Sequence, residues 1–372
     1  MWRKRTQRLD SAPMRLLVVE LHHLGDAVLS LPFIRAAQTA GHEVHALCRP
    51  PSGAIFGMRL GSENIRTWIP RWERGIGTRP DAQPDLAGFD AAVCAWPDLR
   101  VHLLLARARI PRRIGFRVSQ NNFYAPLPRW RQRRLRLGRL AQAVLGWMPG
   151  RPPLTEPLDR DLAAKPAQLG KWRTLARHLD LPWSETTPWF EGGAPPQPFA
   201  DFLAQAHRNG RSLLLVHPGG RLPTKRWPAG RFHDLLTGPL AGRTDLAIVV
   251  IDPPDSPPLD PLPPDILRLA TADIAELAAV TSAADVVLCN DSLVSHLAAA
   301  AGTRVIALFG SGDPDWFAPV GKANRIIATD RCPHRPCVDR CVMPSLVCLD
   351  SIRVESVTEQ IRLALDSIRP GR

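Results

Sequence analysis

At 372 residues the chain has room for two ordinary domains, and 45% hydrophobic with 22% charged residues excludes an unfolded polar chain. The 48 Lys and Arg against 35 Asp and Glu leave a formal charge of +13, which calls for an anionic partner (nucleic acid, a membrane or a phosphorylated glycolipid) and says nothing of the fold. No apolar run reaches the roughly 18 residues of a membrane span, and Asp10, Ser11 and Pro13 stand where a secretory signal needs its apolar stretch, so a cytoplasmic location is expected.

Leu16–Glu20 is a short apolar run. After a turn at His22–Gly25, the residues Ala27, Val28, Leu31, Ile34 and Ala37 recur at helical spacing, which predicts a strand, a turn and a helix. Val44–Cys48, Ile65–Ile69 and Ala91–Trp96 repeat the buried-strand signal, as in a parallel sheet covered on both faces. From Pro149 to Pro198 prolines, glycines and polar residues dominate around one helix near Leu169–Leu179, and this stretch reads as the connection between domains. The pattern then restarts. Leu213–Val216, Leu246–Ile251, Val286–Cys289 and Val305–Phe309 read as strands, with helices near Gly230–Leu236, Ile274–Ala283 and Leu293–Ala301. Val354–Ile368 carries Val357, Ile361 and Leu365 at helical spacing, and is expected to return across the first domain. The reading is therefore α/β, with two Rossmann-like domains: 14–195, joined by 354–372, and 196–353.

Three strand-to-helix turns carry polar groups. In open parallel sheets ligands bind beyond the carboxyl ends of strands, and Gly25 there admits a close approach while Asp26 faces the cleft. Asp26 reads either as a general base for a hydroxyl or as a helix cap. In His217–Pro228, Gly219 and Gly220 expose amides, Thr224 offers a hydroxyl and Lys225 a point charge, a set suited to a diphosphate; the alternative is a solvated loop anchored by Trp227. In Asn290–Gly302, Asp291 or Ser292 caps a helix whose positive end attracts phosphate, with Leu293 next and His296 one turn in, the latter reading equally as a core histidine.

Taken in order, Gly25–Pro32, His217–Gly219 with Thr224–Pro228, Asp291–Ser292 with His296–Ala300, and Leu308–Gly310 with Asp313–Pro314 resemble glycosyltransferase family nine, the ADP-heptose:lipopolysaccharide heptosyltransferases. The tail with Cys332, Cys337, Cys341, Cys348 and Leu349 is similar to the heptosyltransferase III branch. The resemblance implies a GT-B fold, with acceptor on the first domain and nucleotide-sugar on the second facing across a cleft. It implies inverting transfer of a heptose from ADP-heptose to a lipopolysaccharide inner core, without an essential metal or other cofactor. Asp26 matches the family's base, Lys225 its diphosphate lysine, and Asp291, Ser292 and His296 its donor-binding helix start. Two positions depart from the pattern: Leu293 stands where many members have glycine, and Ile251–Asp255 where many have Gly-Gly and a nearby Glu.

Cys332, Cys337, Cys341 and Cys348 lie within 17 residues and suit either structural zinc or iron or, without paired CxxC knuckles, reduced thiols filling a loop. Between Leu99 and Thr155 there is no acidic residue, and Arg113, Arg117, Arg131, Arg133 and Arg134 are among the arginines crowding that stretch. They are read as the acceptor-binding face, for glycolipid phosphates and the surface of the inner membrane, in preference to nucleic acid. Three readings follow: the heptosyltransferase, peripherally associated with that membrane; the same donor site serving a protein or another glycan; and a nonenzymatic basic binding protein, against which Asp26, Lys225 and His296 count.

Overall fold

The computed structural model describes residues 12–72, 81–119, 152–161, 164–252, 259–337 and 341–368. The first sheet contains β1 (Arg15–Glu20), β2 (Glu43–Cys48), β3 (Ile65–Thr67), β4 (Ala91–Cys94), β5 (Arg112–Phe116) and β6 (Glu156–Leu158), all parallel, in the order β3-β2-β1-β4-β5-β6. The second repeats this winding with β7 (Ser212–His217), β8 (Leu246–Ile251), β9 (Leu267–Leu269), β10 (Val286–Asn290), β11 (Arg304–Phe309) and β12 (Arg325–Ala328), in the order β12-β11-β10-β7-β8-β9. In each sheet the order reverses at one place, between β1 and β4 and between β7 and β10. Chains leaving these neighbours diverge and open a crevice at the strands' carboxyl ends.

The central strands form because they are buried on both faces, so near-continuous Leu, Val, Ile and Ala leave few polar side chains to desolvate, Glu20 and Asn290 being buried exceptions at the carboxyl ends of β1 and β10. The helices that matter to the crevices are α1 (Leu24–Thr39), after β1, and α2 (Pro50–Gly57) and α3 (Leu99–Arg107), which follow β2 and β4. Next come α4 (Ala167–His178) and α5 (Gln197–Arg208), then α6 (Ala229–Thr237), α7 (Ile274–Ala283), α8 (Leu293–Ala301), α9 (Pro314–Phe317), α10 (Val347–Asp350) and α11 (Val354–Asp366).

Two expectations about the connections need correction. The proline-rich stretch is not merely a linker, since α4 lies along α1, with Leu169, Trp172 and Leu175 buried and the Trp172 ring 5.4 Å from Phe33. The terminal helix α11 does not return to the first domain: Val357, Ile361, Ala364 and Leu365 enter the core of Leu214, Val216, Leu288 and Ile306, against α6, β10 and β11. Helical spacing reveals that an apolar stripe exists but not which sheet receives it. The two halves meet where α1 touches α8 and where the Trp189 amide donates to the carbonyl of Ala300 at 2.8 Å.

Candidate active site across the two switch points

Beyond β1, Asp26 lies in the first turn of α1 and is 3% exposed. The helix has no side-chain cap, and Asp26 Oδ2 accepts no hydrogen bond among the described residues, so the capping alternative has no bond to carry it. Burial and the neighbouring Glu20 carboxylate push its pKa up to about 7, while His22, Lys171 and the Trp96 indole act in the opposite direction. Glu20, at the end of β1, is itself buried and accepts from the His22 amide at 2.9 Å. The His22 ring lies 3.5 Å from Glu20 and 3.7 Å from Asp98, and stacks on Trp96 with centroids 4.6 Å apart. Burial alone would lower its pKa, but Asp98 and Glu20 outweigh it and carry the group to about 9. A half-buried imidazolium thus divides two carboxylates beside Asp26. Asp98 stays well below the usual range: burial would raise it, and His22 and Arg100 overcome that.

Beyond β7 and β10 the second crevice is organised by Asn290. Fully buried, it accepts from the Trp227 amide at 2.9 Å and donates to the carbonyls of Pro218 and Gly219 at 2.7 and 3.0 Å, fixing both ends of the His217–Trp227 loop. Gly220 accepts from Arg226 within that loop. Thr224 is held by Ser311, whose amide reaches its carbonyl and whose hydroxyl reaches its Oγ1, both at 3.3 Å. Lys225 Nζ lies 2.7 Å from buried Asp291 Oδ2. Glycine is required opposite this pair, because a Cβ on Gly312 would stand 2.0 Å from the same oxygen.

At the start of α8, Ser292 occupies the N-cap position without making the cap bond, and its buried Oγ is unpartnered among the described residues. His296 is buried, its Nδ1 likewise unpartnered, and burial lowers its pKa to about 4, so at neutral pH it offers an uncharged ring. Leu293 packs against the core. The crevices face each other where a Cβ on Gly25 would lie 2.8 Å from the His296 ring. The close approach foreseen at Gly25 is therefore made here by a histidine of the opposite domain. His23 stands at the same gap, and desolvation and then the positive charges of His22, Arg221, Arg49 and Lys225 lower its pKa.

Residues 158–346 match the sequence profile of glycosyltransferase family 9 (heptosyltransferase). The chain belongs to glycosyltransferase family 9. It has the GT-B architecture: Escherichia coli ADP-heptose lps heptosyltransferase II superposes with a TM-score of 0.63 at 18% identity, over 95% of this chain and 99% of that one. E. coli heptosyltransferase WaaC with ADP gives 0.63 at 17% identity, over 94% and 100%. A family 9 glycosyltransferase from Veillonella parvula gives 0.60 at 16%, over 95% and 97%. No curated protein sequence matches the chain. As a family 9 glycosyltransferase, the protein is an enzyme.

In this family 9 fold Asp26, Lys225, Asp291, Ser292 and His296 gather at the facing crevices, while the arginines part ways. Arg113 is buried, and its guanidinium is committed to the carbonyls of Ile110, Pro111, Pro152 and Pro153, so an acceptor role for it is withdrawn. Arg117 is exposed, 3.9 Å from Asp159. Arg131, Arg133 and Arg134 lie outside the described residues. Cys332 and Cys348 are buried in the second core with Leu349 and Ile352. Burial and the other three thiols raise Cys337, so the four share one neighbourhood. Among the described residues no group of three or more His, Cys, Asp or Glu is arranged to hold a metal ion.

Glu20, His22, Trp96, Asp98 and Lys171 escaped sequence reading. One signal was present: Glu20 closes an apolar strand, and Trp96–Asp98 follow the strand at the switch point.

Proposed function

We propose that the protein transfers a heptose from ADP-heptose to the inner core of a lipopolysaccharide-type glycolipid, with inversion. The carrying observation is the meeting of Gly25 with His296, which sets Asp26 on one side of the cleft against the donor helix on the other. An acceptor hydroxyl lying between them loses its proton to the Asp26 carboxylate as its oxygen bonds to the anomeric carbon from the face opposite the nucleotide. The bond from that carbon to the diphosphate oxygen breaks, and ADP departs with the electron pair. Lys225, the open amides at the start of α8, Ser292 Oγ and the His296 ring offset the charge that develops there.

The donor assignment is supported by the family and by the solved heptosyltransferases, one with bound ADP. The acceptor and the location are supported by the charge of +13 and by the acid-free stretch before Glu156. No helix among the described residues is long and apolar enough to cross a membrane, and we place the enzyme in the cytoplasm, bound peripherally at the inner membrane. One observation favours a second reading, in which the donor is a different nucleotide-sugar. Asp252, in the expected nucleoside pocket, is bound by Arg268 at 2.8 and 3.0 Å, and so is committed within the protein.

Incubation with a panel of nucleotide-sugars, reading both thermal protection and release of nucleoside diphosphate, separates these readings. Protection and turnover confined to ADP-heptose support the first; preference for another base or sugar replaces it.

A further inference from the structure

On α4, in the stretch of weakest sequence signal, Lys171 is wholly buried, and its ammonium makes no hydrogen bond among the described residues. Such a group is costly to bury without compensation, and compensation here is aromatic: Nζ lies 4.7 Å from the centroid of Trp96, 5.1 Å from Trp316 and 5.9 Å from Phe116. Trp96 is the ring that stacks on His22 beside Asp26. Trp96 and Phe116 belong to the first domain. Trp316 is carried by α9 of the second, where Arg160 of the first domain also lies over its ring at 4.4 Å.

We propose that Lys171 is a positioning residue for the base, an ammonium boxed by three rings whose charge holds the Asp26 carboxylate ionised, with one wall of the box contributed by the donor domain. This rests on Asp26 being the base. Asp26 faces the Glu20 carboxylate in a dry site, which favours its protonated form, and His22 and Lys171 are the positive charges that oppose this. Lys171 does so without a hydrogen bond to the carboxylate, since its Nζ makes none among the described residues. Trp316 makes the arrangement conditional: with the domains together the box is closed and dry, and the Lys171 charge acts on Asp26 with little screening. The other groups facing the pair are Glu20, His22, Cys94 and Arg160, with Asp98 acting through His22. Burial lowers Lys171 to about 7, with Asp26 pulling it upward, so the two groups titrate in the same range and each reads the other.

The test is titration of the full-length protein by carbon-detected NMR, with Asp and Lys side chains labelled and Asp26→Asn and Lys171→Met assigning the two signals. Lys171→Met is expected to raise the Asp26 midpoint by about one pH unit or more, a tenfold gain in proton affinity, while Lys171→Arg keeps it near the parent value. Because coupling is reciprocal, Asp26→Asn is expected to lower the Lys171 midpoint by a similar amount, and this near-isosteric variant serves even if Lys171→Met does not fold. Trp316→Leu is expected to raise the Lys171 midpoint as water enters the box. Unmoved midpoints in Lys171→Met and Asp26→Asn overturn the proposal, and an unmoved Lys171 in Trp316→Leu removes the donor domain from it. None of these readings needs turnover, so they stand apart from the sugar assay. Where transfer is measured, Lys171→Met also moves the acid limb of the rate to higher pH by the same interval, a change that loss of packing alone does not produce.

Discussion

The two crevices share one strand winding yet are furnished in opposite ways. Beyond β1 and β4 the groups are titratable side chains in a dry setting: Glu20, His22 and Lys171 bias the protonation of Asp26, and Glu20 and Asp98 that of His22. Beyond β7 and β10 the work falls to backbone and glycine, with Asn290 pinning a loop, Gly312 making room for Asp291, and a helix start presenting free amides. The first furnishing tunes a proton affinity. The second shapes a rigid seat for phosphate, where position matters and titration does not. A shared fold therefore fixes where a site lies, while local burial decides what chemistry it performs.

The contrast is broken most severely at Asp26. Asp26→Asn keeps the shape but cannot accept a proton, so transfer is expected to fall by about 10²–10⁴ while calorimetric donor affinity persists; a parent rate removes the base from the first crevice. Lys225→Ala leaves Asp291 buried without its partner and loses a charged hydrogen bond to the diphosphate. Donor binding should weaken by roughly 1.5–3 kcal/mol, about tenfold to a hundredfold, and unchanged calorimetry would separate Lys225 from the donor. The pH profile sharpens the comparison further. Since Asp26 must be ionised and its pKa is raised to about 7, kcat/KM of the free enzyme should decline as pH falls through about 7, well above the ordinary carboxylate range. Donor affinity, set by the other crevice, should stay nearly flat over that interval. The smallest effect is expected from the arginine-rich stretch: neutralising Arg131, Arg133, Arg134 and Arg136 together should raise the acceptor requirement and reduce salt-sensitive liposome binding, with donor affinity unmoved. Equal losses for both substrates would mark damaged folding instead.

How far the sequence was legible follows from how each part is stabilised. β8 could be read to the residue because a strand buried on both faces is a continuous apolar run. β5 could not, since it opens with Arg112 and Arg113, whose charges are satisfied by Glu156 and by backbone carbonyls that only the fold brings near. Lys225, Asp291 and His296 announce themselves by following strands. Lys171 did not, because a lysine in a helix ordinarily means a solvated face, and its three aromatic neighbours are 55 to 145 positions away by number. Asp98 was hidden by doing two jobs: it accepts from the Arg100 amide at the start of α3 while its other oxygen faces His22. For α11 the stripe was legible and the destination was not, as nothing in an amphipathic period names the receiving sheet.

Arg35 carries a mechanical corollary. From α1 its guanidinium grips the carbonyls of Ser184, Thr186 and Pro188 at 2.8 to 3.0 Å, in the segment that leads into the second domain. The crossing chain is thereby pinned to the same helix that bears Asp26, nine positions earlier, a lever arm of about 13 Å at 1.5 Å per residue. Register between the crossing chain and the carboxylate is thus held within one helix, α1, which runs on through Pro32 without one of its backbone hydrogen bonds.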